Sequence, residues 1–254
     1  MDHSPISIAL IALLGAAVGS FLNVVAYRLP RRESLVKPRS RCPACGTQIA
    51  SYDNVPVVSW LLLRGRCRTC GKAIPVRYPL LEAITAVLFG AVALRADNLG
   101  ELWPGLVLVS VLVLVAAIDI EHRIVPNRVL APAALTGIGL WAIADPGRVP
   151  ENLIAAAAAG GFLLAAAVAY PKGMGMGDVK LVAVMGLFLG RSIAPALLIG
   201  FAVGVVAGVG IMLAQGASAR KQAIPFAPYL ALGGIVGQLF GSDLVNWYLD
   251  ANQL

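Results

Sequence analysis

Two aspartates lie at the edges of apolar stretches, where a charged side chain is costly and usually has a function. Asp119 ends one apolar stretch, and Asp178 begins another directly after the glycine-rich segment 173–177. The two residues are 59 positions apart, but they can meet if both stretches belong to one bundle. Two neighbouring carboxyl groups share a proton, so one can activate water while the other protonates a scissile amide. We therefore predict that Asp119 and Asp178 are the catalytic pair of an aspartic protease.

Three further residues are candidates for contact with the substrate. Gly175 and Gly177 precede Asp178 and carry no side chain, so the backbone here can approach an extended peptide closely. Glu82 lies near the start of another apolar stretch, in Tyr78–Glu82. We expect Glu82 either to contact the substrate or to pair with a basic residue of the preceding loop.

A purely structural interpretation of the aspartates stays open at this point. Aspartates at the ends of spans commonly cap helices, so Asp178 could be an N-cap. Asp119 could instead be paired with Arg123 or Lys180. The glycines beside Asp178 favour a function for that residue over a cap.

All four cysteines lie in one polar loop, as Cys42-Pro-Ala-Cys45 and Cys67-Arg-Thr-Cys70. Two C-x-x-C pairs about 20 residues apart are typical of a zinc ribbon. Four thiolates fill a tetrahedral shell, so the site would be structural rather than catalytic. Two disulfides are the alternative, but a loop in the reducing cytosol argues against them. We predict a zinc site at Cys42, Cys45, Cys67 and Cys70.

Composition indicates which elements position these residues. Of 254 residues, 59% are hydrophobic and only 13% are charged, which favours an integral membrane protein. Glycines four residues apart, at Gly15 and Gly19 and twice more near the C-terminus, predict closely packed helices. Eight apolar stretches predict about eight transmembrane helices: residues 6–27, 78–94, 102–118, 129–144, 153–170, 179–190, 193–214 and 229–247.

The distribution of basic residues predicts the orientation. If the N-terminus is outside, the segments predicted to be inside hold 17 of the 20 Lys and Arg residues, as the positive-inside rule expects. The first stretch has no basic residue before it, so we expect a permanent span rather than a cleaved signal. The net charge of +7 is explained by this topology, and we expect no nucleic-acid partner. Both aspartates then lie at the cytoplasmic boundary.

We therefore predict an all-α polytopic membrane protein. A small cytoplasmic zinc-ribbon-like loop domain lies between its first two spans. The predicted division is a first transmembrane helix at 1–28, a four-cysteine zinc-binding loop domain at 29–77 and a protease core at 78–254.

Taken together, the motifs resemble those of the type IV prepilin peptidases, which are bifunctional leader peptidases and N-methyltransferases. The similarity runs from about residue 15 to 235. The first span, the two cysteine motifs, the segment between them and the two aspartate motifs all match. One residue departs from the pattern, since Ala227 stands where glycine is expected. We expect Ala227 not to touch the proposed chemistry. The matching segments are 19–30, 41–45, 54–60, 64–70, 78–82, 119–127, 175–181 and 224–229.

The resemblance implies more than the residues themselves can support. It implies cleavage of basic leader peptides from prepilins or pseudopilins at the cytoplasmic face of the inner membrane. It also implies methylation of the new N-terminus from S-adenosylmethionine, although no residue of this sequence indicates where that cofactor binds. The only other partner expected is membrane lipid.

Two alternatives compete with this assignment. Another Gly-x-Gly-Asp protease, similar to a preflagellin peptidase or a presenilin, would use the same aspartates, but its chemistry does not require a zinc loop. A membrane scaffold or transporter with a zinc-ribbon docking loop would use neither aspartate for cleavage. The remaining spans lack the paired charges that a carrier needs.

Overall fold

The computed structural model describes residues 3–37, 39–171, 174–215 and 225–251. Within these ranges the chain is helical and contains no β-strand, only two isolated bridges in the cysteine loop. Short 3₁₀ turns occur at Ser51–Asn54 and Gly190–Ser192. The α-helices are α1 (Pro5–Arg28), α2 (Val58–Leu62), α3 (Arg77–Arg95), α4 (Leu99–His122), α5 (Asn127–Ala144), α6 (Arg148–Ala169), α7 (Met176–Leu189), α8 (Ile193–Gln215) and α9 (Ala227–Ala251).

The eight predicted apolar stretches each correspond to one long helix, with bounds that overrun the helix by one residue at most. The all-helical class with a cysteine loop is therefore confirmed. By length and composition, the described residues contain six candidate membrane spans, which cover α1, α3, α4, α5, α6 and the continuous stretch of α7 with α8. The helix α9 is not among them, because glycines and polar side chains interrupt its apolar sequence. The chain is a multi-pass membrane protein.

The first compact unit, Met1–Arg95, is built on the packing of α1 against α3. Glycines of α1 permit this close approach. A Cβ added at Gly15 would lie 2.7 Å from the Cβ of Phe89, and one added at Gly19 would lie 2.8 Å from the Cα of Glu82. The buried amide of Asn23 donates to the carbonyl of Tyr78 at 3.0 Å. These contacts hold the cysteine loop between two helix ends that lie side by side.

The second unit, Ala96–Leu254, contains α4 to α9 around one apolar core. The centre of α4 is fully buried and packs on α5, α7 and α9. A Cβ added at Gly234 of α9 would lie 2.8 Å from both Leu112 of α4 and Met185 of α7. The helices α4, α7 and α9 therefore meet at van der Waals distance, and this packing positions both aspartates.

The glycines spaced by four residues in α8 and α9 lie in close helix packing, as predicted, except at one position. Those of α9 pack on α8 and on the 3₁₀ turn that precedes it. A Cβ added at Gly233 would lie 2.7 Å from the backbone N of Gly200, and one added at Gly237 would lie 2.7 Å from the Cβ of Ala196. A Cβ added at Gly241 would lie 2.5 Å from the Cβ of Ser192. Gly208, by contrast, has no atom near the place of its missing Cβ. Here the four-residue spacing continues past the end of the contact.

Candidate active site and metal centre

Asp119 lies in the last turn of α4, and only 5% of its surface is exposed. Its Oδ2 accepts a hydrogen bond of 3.2 Å from the backbone N–H of Ala227, the first residue of α9. Arg123 ends α4 in the left-handed conformation, with φ of 54°, and its N–H donates to the carbonyl of Asp119. The carboxyl group of Asp119 is thus directed at the N-terminus of α9, where unpaired N–H groups favour negative charge.

Asp178 lies in the first turn of α7 and is partly buried. Gly175 is the N-cap residue of this helix. The backbone N–H of Asp178 donates to the carbonyl of Gly175 at 3.1 Å, and the carboxyl group of Asp178 lies next to Gly175, with Oδ2 3.5 Å from the position of a Cβ added there. The carboxyl group of Asp178 therefore lies at the N-terminus of α7, where negative charge is favoured.

The two aspartates are brought together at one end of the second unit. Their carboxyl groups are close enough to interact electrostatically. The first turn of α7 packs on the connection that follows α4, since a Cβ added at Gly177 would lie 2.8 Å from the Cβ of Val125. Lys180 of α7 donates to the side chain of Asn127, the first residue of α5, at 3.1 Å. Two carboxyl groups that both reach one water molecule can act on it as base and acid.

These contacts test part of the purely structural interpretation of the two aspartates, in which they pair with basic residues or cap a helix. Lys180 bonds Asn127, and Asp119 accepts its hydrogen bond from Ala227. Arg123 does interact electrostatically with Asp119. Asp178 occupies the third helical position rather than the N-cap itself.

The expectation that Ala227 does not touch the proposed chemistry is wrong. Its backbone N–H is bonded to Asp119, and its side chain is completely buried. A sequence pattern indicates which side chains are present. This contact is made by a backbone N–H, which almost every residue type carries, so the sequence gives no indication of it. The preceding Phe226 stacks on Phe201 with ring centroids 5.9 Å apart. Ile224 of this motif lies outside the described residues, as does Gly173 of the glycine-rich segment.

The four cysteines are presented by two knuckles with the same backbone pattern, 25 residues apart. In the first, residues 40–49, Cys42 N–H donates to Thr47 and Gly46 N–H donates to Cys42. In the second, residues 65–74, Cys67 and Gly71 make the equivalent bonds. Gly46 and Gly71 have φ of 72° and 69°, a conformation that glycine adopts without strain.

The sulfur atoms of Cys42, Cys45, Cys67 and Cys70 all lie within 4.8 Å of one another. The distance from Cys42 Sγ to Cys70 Sγ is 3.8 Å. In a tetrahedral site with zinc–sulfur bonds of about 2.3 Å, two sulfurs are about 3.8 Å apart. Hydrogen bonds from the side chain and the backbone of Thr47 lower the pKa of Cys45 to about 6, whereas burial and the neighbouring cysteines raise the pKa of Cys70 to about 11. Four thiolates in one cluster therefore require a bound cation to offset their charge. The residues therefore fit a tetrahedral thiophilic metal.

The rest of the loop is held by two polar contacts. Arg68 of the second knuckle binds Asp53 through both Nε and Nη2, with the shortest distance 2.6 Å. The Arg68 guanidinium holds the pKa of Asp53 below its usual range. The indole of Trp60 donates to the carbonyl of Ile74 at 3.0 Å. The loop thus has structure of its own around the cysteine cluster.

Glu82 contacts a strained backbone position in the same unit. Its Oε2 accepts a hydrogen bond of 2.7 Å from the N–H of Val57, which precedes α2 with φ of 60°. Positive φ is unusual for a β-branched residue and costs free energy. Among the residues that the structure describes, the hydrogen-bond partner of Glu82 is therefore a backbone N–H of the loop rather than a basic side chain.

Comparisons with known proteins agree with the motifs. Residues 13–96 match the family model of the bacterial peptidase A24 N-terminal domain, and residues 106–213 match that of the type IV leader peptidase family. The chain resembles the prepilin leader peptidase/N-methyltransferase of Bacillus subtilis, with 33% identity over 95% of this chain and 98% of that protein. That of Neisseria gonorrhoeae is 35% identical over 97% of this chain and 96% of that protein.

The protein of the same name from Myxococcus xanthus is 43% identical over 84% of this chain, but the match covers only 65% of that longer protein. No solved structure matches the chain. Two family models cover most of the sequence, and relatives above 30% identity are matched along nearly their whole length. The chain therefore belongs to the type IV leader peptidase family.

Proposed function

We propose that this chain is an aspartic endopeptidase that removes the basic leader peptide from prepilins or pseudopilins, with Asp119 and Asp178 as its catalytic pair. The observation that carries the proposal is that the first turn of α7, with Asp178, packs on the connection that follows α4, whose last turn holds Asp119. The names of the relatives supply the substrate class. The pairing of two carboxyl groups supplies the reaction type.

The geometry supports a division of work between the two residues. The N–H of Ala227 holds Asp119 Oδ2 and stabilises negative charge there. In this proposal one carboxylate takes a proton from water, which attacks the scissile carbonyl, while the other, protonated, delivers a proton to the leaving amine. Gly175 is exposed beside Asp178 and is proposed to face the substrate backbone, whereas Gly177 packs on Val125.

We propose that the chain lies in the cell inner membrane with its N-terminus outside and the loop and both aspartates at the cytoplasmic face. The support is the asymmetry of basic residues, 17 of 20 on the predicted inner side. A prepilin with a basic leader in the cytosol and a hydrophobic helix in the bilayer would present its cleavage site at this interface.

We propose that the metal is zinc and that segment 29–77 is the domain that it organises. Spacing, four sulfur ligands and the 3.8 Å sulfur–sulfur distance support this assignment. Substituting Cys67 with Ser should remove about one bound metal per chain, measured by elemental analysis, and should expose the loop to limited proteolysis. An unchanged metal content would contradict the site.

N-methylation of the new N-terminus with S-adenosylmethionine is part of the proposal through the names of the relatives. We assign no residue of this chain to the methyl donor. The cleavage product, incubated with S-adenosylmethionine, should gain the mass of one methyl group, and a product of unchanged mass would remove this half of the proposal.

The deciding experiment compares the purified chain with Asp119→Asn and Asp178→Asn on a prepilin-like substrate. Asn preserves the shape of Asp but cannot transfer the proton, so cleavage should fall by several orders of magnitude in both variants. Asp145→Asn is the matched control, because Asp145 lies at the other end of α5 and pairs with Arg148. If either catalytic variant still cleaves at the wild-type rate while it remains folded, the pair is wrong.

A further inference from the structure

The short helix α2 exposes an apolar face rather than burying one. Val58, Leu61 and Leu62 are 50%, 61% and 78% exposed, and their i, i+3, i+4 spacing places them on one side of the helix. Ser59 on the other side is buried and bonds the backbone of Tyr52 and Val55. A helix that directs its polar residue inward and its apolar residues outward is not oriented for contact with water.

The anchoring of α2 places this face beside a membrane span. Val57, directly before α2, is bonded to Glu82, and Glu82 lies five residues after the first residue of α3, Arg77. At 1.5 Å per residue this is about 7.5 Å along α3. Arg77 is the last basic residue before the apolar sequence of α3 and the first residue of that candidate span, so we place the membrane surface near it. Interfacial helices lie about 5–10 Å deep at the boundary of headgroups and acyl chains.

The charges around α2 are mostly of one sign. Segment 28–77 contains eleven Lys and Arg residues and two acidic residues, and nine of the eleven are exposed. Arg64 and Arg66 follow α2 directly and are both exposed. Of the two acids, Asp53 is already bound to Arg68. An anionic surface near α2 would therefore meet few negatively charged side chains that could repel it.

We propose that α2 is an interfacial anchor that inserts Val58, Leu61 and Leu62 among the phospholipids beside α3 while Arg64 binds their phosphate groups. The ligand is anionic phospholipid of the same bilayer. This inference goes beyond the proposed function and holds on whichever side of the membrane the loop lies, because α1 and α3 carry the loop on the same surface. Its consequence is that anionic lipid fixes the position of the cysteine domain.

Charge distinguishes lipid from other occupants. The basic leader of the proposed substrate would be repelled by this surface, and so would the same surface of a second copy of the chain. Anionic headgroups are attracted, and each basic residue near such a surface contributes about a fivefold gain in affinity.

The experiment uses the full chain in lipid nanodiscs of phosphatidylcholine, with or without phosphatidylglycerol. A photoreactive benzoylphenylalanine replaces Leu62 or, as the control, Lys72, which is exposed in the second knuckle. After irradiation, mass spectrometry of the peptides quantifies lipid and protein adducts. We expect lipid adducts at position 62 to exceed those at position 72 several-fold.

A second comparison tests the phosphate contact. Arg64→Gln should lower the preference of position 62 for phosphatidylglycerol about fivefold, whereas Arg64→Lys should retain it. Metal content and thermal stability report whether each variant is folded. Equal lipid adducts at positions 62 and 72, or adducts at position 62 formed mainly with protein or with an added prepilin peptide, would overturn the proposal.

Discussion

The backbone N–H of Ala227 donates a hydrogen bond to Oδ2 of Asp119 over 108 residues of sequence. The bond connects the first residue of α9 to the last turn of α4. It gives a buried carboxyl group a hydrogen-bond partner from the backbone of a helix distant in sequence. The C-terminal helix is therefore part of the proposed catalytic site, although we assign it no reactive side chain.

Ala227→Pro tests this bond, because proline lacks the N–H but is tolerated at the first position of a helix. A hydrogen bond to a charged group contributes about 1.5–3 kcal/mol. We therefore expect kcat/KM for leader cleavage to fall about tenfold to hundredfold. Ala227→Gly keeps the N–H and should stay near wild-type activity. Wild-type activity in a folded Ala227→Pro variant would show that the bond is dispensable.

Gly177 is predicted to be a packing residue rather than a substrate contact, because it touches Val125. The extra Cβ of Gly177→Ala would displace the first turn of α7 and with it Asp178. A displacement of about 1 Å can cost a factor of about 100 in rate, so we expect at least a tenfold loss of kcat/KM.

A second substitution, at Val125, should restore the activity that Gly177→Ala removes. In the Gly177→Ala/Val125→Gly double variant the clashing Cβ atom of Val125 is absent, so activity should recover substantially over Gly177→Ala alone. If the activity does not recover although both variants are equally stable, the packing explanation is wrong and Gly177 contacts the substrate, as predicted from the sequence.

Glu82 is expected to stabilise the loop through Val57. Glu82→Ala leaves the N–H of Val57 without its acceptor, so the amides of residues 55–66 should exchange with deuterium faster. Val57→Gly removes the cost of a positive φ in a β-branched residue, about 1–3 kcal/mol. It should therefore slow exchange again in the double variant. If Glu82→Ala instead raises KM without changing exchange, the residue contacts substrate.

The pH profile of cleavage should fall on both sides of an optimum. Two carboxyl groups that share one proton are active only in the singly protonated state, and the two limbs belong to the pair rather than to either residue. The measurement is kcat/KM in steps from about pH 5 to about pH 9, with substrate binding followed separately. A flat profile over this range would contradict a shared proton.

The helices can be predicted because apolar stretches of about 20 residues leave the backbone few alternatives in a membrane. Even α7, with only 14 residues, is predicted from the sequence as a short stretch at 179–190. The cysteine cluster is predictable for a similar reason, since paired C-x-x-C motifs have few other uses. Each of these features is local in sequence.

The remaining features depend on tertiary contacts. The bonds of Ala227 to Asp119 and of Val57 to Glu82 use backbone donors, which every non-proline residue carries. The neighbour of Gly177 follows from how α7 meets the α4–α5 connection, which no local pattern encodes. The sequence does not predict α2, because five residues are too few to show a periodicity.

The close packing of α9 on α8 and on the turn Gly190–Ser192 has a genetic consequence. Every missense change in a glycine codon adds a Cβ, and at Gly233, Gly237 and Gly241 such an atom meets a neighbour at van der Waals overlap. Every amino-acid replacement at these three positions is therefore expected to destabilise the protein. In a screen of random mutants, inactivating alleles should accumulate along this seam as well as at the two aspartates, and they should be recognisable by low protein abundance.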